Sequence, residues 1–105
     1  MLKTVPVVLA LLIGVGLSAT AVASPNPIGE KLYRSSCMVC HTTGAANAPK
    51  LGNKAAWAPL IELGMDSMLD VAIKGKGAMP PRGGAMKADD EAIRAAIEYM
   101  VSKSQ

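Results

Sequence analysis

Aromatic side chains are scarce in these 105 residues: Tyr33, Trp57 and Tyr99 are the full set, with no phenylalanine. A chain this short forms one domain at most. At this size, a core with so few aromatics gives thin stability by itself, so something other than side chains is expected to fill part of the interior. There are only one histidine and two cysteines, and all three lie within five consecutive positions. Two cysteines and one histidine are one ligand short of a structural zinc cage. Charge is modest, with 11 Lys and Arg against 8 Asp and Glu for a net +3, or +2 once Lys3 in the apolar leader is set aside. That balance is too mild for nucleic acid binding. The sequence has no internal repeat, and no stretch alternates like a strand. Apolar residues at 50% rule out a disordered tail.

The apolar share is uneven: 16 of the first 23 residues are apolar. Lys3 supplies a positive start, Val5 to Leu17 is a 13-residue uncharged run, and Ala21-Val22-Ala23 offers small residues for a peptidase. Residues 1–23 read as a secretory signal cut before Ser24, leaving residues 24–105 as the mature domain. The rival is a retained anchor, since Val5 to Ala23 is 19 residues without charge, close to the ~20 that span a bilayer. The small-residue site favours cleavage. No cysteine follows it to carry a lipid. In either case the body is exported, which places it in a bacterial periplasm or its equivalent.

Within the body, Asn26 caps a helix that Pro27 opens, predicted to run to Val39 with Ile28, Leu32 and Val39 near one face. Residues 42–54, rich in Gly, Ala, Asn and Pro, read as loop. Pro59 is expected to open a short helix ending at Gly64, and Asp66 to cap another through Leu69 and Ile73 that stops at Gly75. Lys74 to Met86 holds four glycines and two adjacent prolines and is no regular element. Asp89 or Asp90 starts a last helix to about Lys103, with Ile93, Ile97, Met100 and Val101 on one stripe. Acids lead that helix and Lys103 closes it, as the helix dipole favours. The expected class is all-α, three to five helices around a long structured loop.

Cys37-Met38-Val39-Cys40-His41 is the Cys-x-x-Cys-His pattern of haem attachment. Two thiols at this spacing add across the two vinyl groups of one haem c, and the adjacent His41 comes under the iron. The macrocycle also supplies the missing apolar volume. Three other readings are weaker. A redox dithiol usually opens a helix on a thioredoxin-like sheet, whereas this motif ends a helix and no strand is in view. The zinc site lacks ligands, and a disulfide across two residues staples almost nothing.

With no second histidine, the sixth iron position falls to Met, Lys or an open site. Met1 leaves with the leader, Met38 lies inside the motif, and Met65, Met68 and Met100 sit at helical positions where methionine is usually core. Met86 shares the glycine-rich loop and is the rival. Met79, just before Pro80-Pro81, is the preferred ligand. His41/Met79 ligation fills both axial sites and raises the reduction potential, leaving one-electron transfer and no catalysis. The second imidazole nitrogen needs an acceptor, for which the Pro49 carbonyl is the candidate. Trp57 either packs in the core or donates its indole N–H to a haem propionate.

Together these residues resemble the class I c-type cytochromes, and within them the cytochrome c5 branch. The resemblance runs from Gly29 and Tyr33 through the attachment motif to Gly44, Ala48-Pro49, Leu51-Gly52, Trp57-Ala58-Pro59 and Gly64. It continues through Gly75, Gly77 to Pro81, Gly83-Gly84 and Asp90-Glu91 to Tyr99-Met100. It implies a small helical fold whose first and last helices cross near Gly29 and Tyr99, with His41 and Met79 as axial ligands. The chain departs from that branch in two places. Ala85 and Ala88 stand where the branch often has a cysteine pair, and Leu60 where it often has arginine.

Lys50, Lys54, Lys74, Lys76, Arg82 and Lys87 lie on segments expected near the haem. They form either a basic rim that steers acidic partners or an ordinary solvated surface, and two propionates would bring the net charge near zero. The leading functional expectation is a periplasmic carrier between a quinol-oxidising complex and a terminal oxidase or reductase. The alternatives are a haem subunit or docking module of one periplasmic dehydrogenase or sulfur-compound oxidoreductase, or a haem that binds gas or peroxide. Weak self-association through an exposed haem face is left open.

Overall fold

The computed structural model describes residues 2–6, 8–16 and 26–105. The expected cleavage site at residues 21–24 lies outside them. The described leader residues form no regular element, and no described helix is long and apolar enough to cross a membrane.

The body is helical. Helix α1 (Pro27–Leu32) runs directly into a π-turn (Tyr33–Cys37) and then α2 (Met38–His41). Helices α3 (Lys54–Leu63) and α4 (Met65–Lys74) follow, and α5 (Asp90–Ser102) closes the chain. Short 3-10 turns lie at Ala45–Asn47 and Pro81–Gly84. Among the described residues the only β pairing is an isolated bridge between Lys76 and Met79.

Asn26 caps α1 as expected, its side-chain oxygen accepting the Ile28 N–H at 3.0 Å. Of the apolar stripe predicted on this helix, Leu32 packs against the core and the other two residues do not. Ile28 and Val39 are exposed, Val39 at 73%, and Gly29, Tyr33 and His41 are buried instead. Two physical reasons account for this. The π-turn adds a residue to one turn and rotates everything after it by roughly 100°. In addition, α1 meets α5 so closely that only glycine fits: a Cβ at Gly29 would collide with the Ala95 carbonyl. Ala95 and Ala96 give α5 a matching flat patch. Tyr33 and Tyr99 meet one turn further on, ring centroids 5.2 Å apart. The crossing thus lies between Gly29 and Ala95-Ala96, a turn before Tyr99.

Helix α3 begins earlier than its proline suggests. Asn53 caps it by accepting the Ala56 N–H at 3.2 Å, and Pro59 sits inside the helix on an exposed face. The freed Ala55 carbonyl is exposed there too, and water can satisfy it. Gly64 alone joins α3 to α4, at φ 98°, a left-handed conformation that favours glycine. Asp66 does not cap α4; its carboxylate accepts from Arg94 on α5 at 2.7 Å. Helix α5 matches expectation closely. Asp89 caps it through the Ala92 N–H at 2.8 Å, and Ile93, Ile97, Met100 and Val101 are all buried. They form the core with Tyr33, Trp57 and Ala72.

Candidate functional site

The π-turn and α2 bring Cys37, Cys40 and His41 onto adjacent turns beside the core. His41 is only 9% exposed, and its Nδ1 lies 2.8 Å from the Pro49 carbonyl. A carbonyl can only accept, so Nδ1 carries a proton, and in the neutral imidazole this leaves the lone pair on Nε2. That is the tautomer a ligating imidazole needs, with its other nitrogen held by an outer acceptor.

The loop after His41 is fixed at several points. The His41 carbonyl accepts from the Leu51 N–H at 2.7 Å. Trp57 packs near the imidazole, centroids 6.0 Å apart, and donates its indole N–H to the Lys50 carbonyl at 3.0 Å. Of the two roles open to Trp57, core packing and donation to a propionate, the structure shows the first, with the indole proton donated to the backbone so that Trp57 is also a strut for this loop. The Gly52 N–H donates to Ser104 Oγ at 2.9 Å, and Ser104 is 2% exposed. Neither Ser104 nor the Lys50 carbonyl was identifiable from sequence. The partners of the Ser104 contact are 52 positions apart, and no local pattern marks it.

Both cysteines are free thiols and half-buried. Burial pushes the Cys37 thiol above its ordinary pKa, the opposite of the depression that activates an oxidoreductase dithiol. Among the described residues no group of three or more His, Cys, Asp or Glu side chains is arranged to hold a metal ion.

The loop from Gly75 to Asp89 forms the facing arm. Lys76 and Met79 exchange both backbone hydrogen bonds at 3.0 Å, which closes a tight turn. Gly75, at φ 78°, packs against this turn so that a Cβ would sit 2.7 Å from the Met79 carbonyl oxygen. The loop passes over the attachment motif, where a Cβ at Gly83 would touch Cys37 Sγ at 4.0 Å. Met79 is half-buried against the core. Of the other methionines, Met100 is buried in the core and Met86 is 66% exposed. Two members of the expected basic rim are engaged: Lys74 pairs with Asp70 at 2.8 Å, and Arg82 pairs with Asp90 at 2.7 Å.

The residues fit the haem that the motif implies. Two accessible thiols stand beside an imidazole whose outer nitrogen is already held. Leu32, Leu51, Leu60, Met65, Met68 and Met79 pack on the core yet stay half-exposed, as side chains would that await an apolar macrocycle.

A family model described as cytochrome C oxidase, cbb3-type, subunit III, matches residues 25–100. Cytochrome c-555 of Chlorobaculum tepidum is 43% identical over 102 residues, 91% of this chain and 94% of that protein. Cytochrome c5 of Azotobacter vinelandii is 38% identical over 74 residues, 69% of this chain and 89% of that protein. Among solved structures, a chain in the electron transfer complex of nitrite reductase with cytochrome c is 56% identical, with a TM-score of 0.76 over 78% of this chain and 100% of that one. A mono-haem ferrocytochrome c from Shewanella putrefaciens is 42% identical, with a TM-score of 0.66 over 73% of this chain and 94% of its own. The likeness extends through the whole helical body, well beyond the attachment motif. The chain belongs to the class I c-type cytochromes, close to cytochrome c5: small electron carriers, not enzymes, with one covalently attached haem c.

Proposed function

We propose that this cytochrome is an exported, periplasmic carrier whose leader, residues 1–23, is removed before Ser24. In this reading Cys37 and Cys40 would form the thioethers, and His41 and Met79 would hold the iron. Bound in this way, the haem supplies a one-electron couple with a raised potential and no open position. The chain's own part is to keep both ligands in place in either redox state. Pro49 fixes the His41 ring and its tautomer through the 2.8 Å contact, the observation that carries the reading. The Lys76–Met79 turn and Pro80-Pro81 restrict how far the Met79 backbone can swing.

The expected partners are redox proteins: a quinol-oxidising complex as donor and a terminal oxidase or reductase as acceptor. The likeness to a chain in a nitrite reductase complex supports a reductase as acceptor. It equally favours a second reading, a docking module dedicated to one such enzyme. Co-purification separates the two, because a dedicated module stays with its enzyme in fixed ratio.

The oxidised holoprotein should show the weak far-red charge-transfer band of methionine sulfur on ferric iron. Met79→Ala should abolish it, and Met86→Ala should leave it. A band that survives Met79→Ala, or high-spin iron in the unaltered protein, overturns the ligand assignment. Mass spectrometry of the exported protein checks the cleavage before Ser24.

A further inference from the structure

The loop that carries Met79 holds an arginine in an uncomfortable place. Arg82 adopts φ 58° and ψ 22°, in the left-handed region. Glycine takes that conformation freely and arginine does not. The next two residues are glycines with the same sign of φ, Gly83 at 59° and Gly84 at 85°. Glycine at this position would relax the turn, but it would lose the contacts that the arginine side chain makes.

It supplies a two-pronged tie. Nη1 donates to the Ala88 carbonyl at 2.8 Å and Nη2 donates to Asp90 Oδ1 at 2.7 Å. The arginine side chain is 24% exposed, unlike an ordinary surface base. The other hydrogen bonds of the loop are short-range: Lys76 with Met79, Gly83 to Pro80, Ala85 to Arg82, Met86 to Gly84 and Ala88 to Ala85. They shape successive turns; the two ends of the loop are tied to helices, Gly75 donating to the Val71 carbonyl of α4 at 2.8 Å and Asp89 capping α5, but these bonds leave the Met79 turn itself unattached to α5. Among the described residues, the Arg82 fork makes the hydrogen bonds that join the Met79 turn to the start of α5. One planar guanidinium can serve both acceptors at once, and an ammonium cannot match that geometry.

We propose that Arg82 is a latch: it positions the Met79 loop against the start of α5 and sets how readily Met79 leaves the iron and admits a small ligand such as carbon monoxide. This inference rests on the reading of Met79 as ligand. The guanidinium touches neither haem nor substrate and acts only through the loop.

The test uses the holoprotein in four variants, R82Q, R82K, R82G and R94Q. R94Q removes an arginine of equal charge that pairs with Asp66 outside the loop. Carbon monoxide uptake by the reduced protein and the heat sensitivity of the far-red band are read beside global unfolding. R82Q is expected to speed uptake about tenfold, the shift in a local opening equilibrium that loss of one charge-assisted hydrogen bond confers. R82G should do the same although it relaxes the turn, R82K should recover little, and R94Q should match the unaltered protein. Equal uptake in R82Q, R82G and the unaltered protein overturns the latch, as does the same acceleration in R94Q. If R82Q does not fold, R82G and R82K decide by the same readouts. Absence of the far-red band from the unaltered protein overturns the Met79 assignment instead, and the latch with it.

Discussion

The two segments that face each other across the site are held by different means. Residues 48–53, after His41, are pinned from outside their own sequence. Ser104 at the far end of the chain receives the Gly52 N–H, Trp57 holds the Lys50 carbonyl, and the Pro49 carbonyl holds the imidazole. The first two anchors are buried residues. Residues 75–89, around Met79, are tied to α4 and α5 at their two ends by Gly75 and Asp89, and between those ends are held by their own short turns and by one partly exposed arginine fork. A buried anchor opens only with the rest of the core, whereas local turns and a surface tie open separately at lower cost. The histidine side is therefore part of the global fold, and the methionine side is a smaller unit resting on it. If His41 and Met79 hold the iron as proposed, such an arrangement makes the methionine the more easily exchanged of the two ligands.

The strongest way to break this comparison is to remove Trp57. Trp57→Ala empties a core position and leaves the Lys50 carbonyl without its indole donor. The expected cost is about 3–5 kcal/mol, the range for deleting a large buried aromatic. Denaturant unfolding of the holoprotein measures it. Trp57→Phe, which restores most of the volume but not the N–H, should recover the larger part of the loss. Below the melting transition the far-red band should persist in both, because the Met79 loop has its own supports. A band lost well before unfolding would show that the two sides are a single unit.

Ser104→Ala probes the same side more gently. It removes the acceptor of the Gly52 N–H at an otherwise buried serine, at a cost of about 0.5–1.5 kcal/mol. Hydrogen exchange at Leu51 and Gly52 should accelerate, while exchange at Met79 and Gly83 should not change. Equal acceleration in the two segments would contradict their independence. Asp89→Ala tests the base of the other side. It removes the cap that accepts the Ala92 N–H at 2.8 Å and should cost about 1 kcal/mol. Here the faster exchange should appear in the 82–89 turn and the first turn of α5.

The unequal anchoring also explains what could be read from the sequence. Local chemistry was legible: the attachment motif, the Pro49 acceptor, the Asn26 and Asp89 caps, the stripe on α5 and the irregular course of the glycine-rich loop. Each depends on residues no more than eight positions apart or on the composition of one segment. What was not legible depends on distance or on competition. Ser104 acts on Gly52 across 52 positions. The stripe on α1 was misassigned at Ile28 and Val39 because a π-turn changes the period within the helix, and because close approach to α5 selects Gly29 over a larger apolar residue. Asp66 fits a cap by pattern, yet Gly64 starts α4 two residues too early for Asp66 to cap it, and Arg94 takes its carboxylate. Arg82 looked like one more surface base because the irregular course of its loop gives no period from which to read that its side chain reaches the Ala88 carbonyl and Asp90.

The Asp66–Arg94 pair sets the lower end of the scale. It joins α4 to α5 at 2.7 Å and belongs to neither of the two segments. Asp66 is 92% exposed and Arg94 about a third, so solvent screens the attraction, and Asp66→Asn should change stability by no more than about 0.5 kcal/mol. The effect should shrink further as salt is raised. Arg82 and Asp90 sit at a matching distance of 2.7 Å, but with the arginine side chain only 24% exposed and a second prong on a half-buried carbonyl. Equal distances with unequal burial should thus give unequal energies. Measuring Asp66→Asn and R82Q side by side over a range of salt separates them. The first loss should fade with ionic strength and the second should largely remain, because the Ala88 hydrogen bond is not an ion pair.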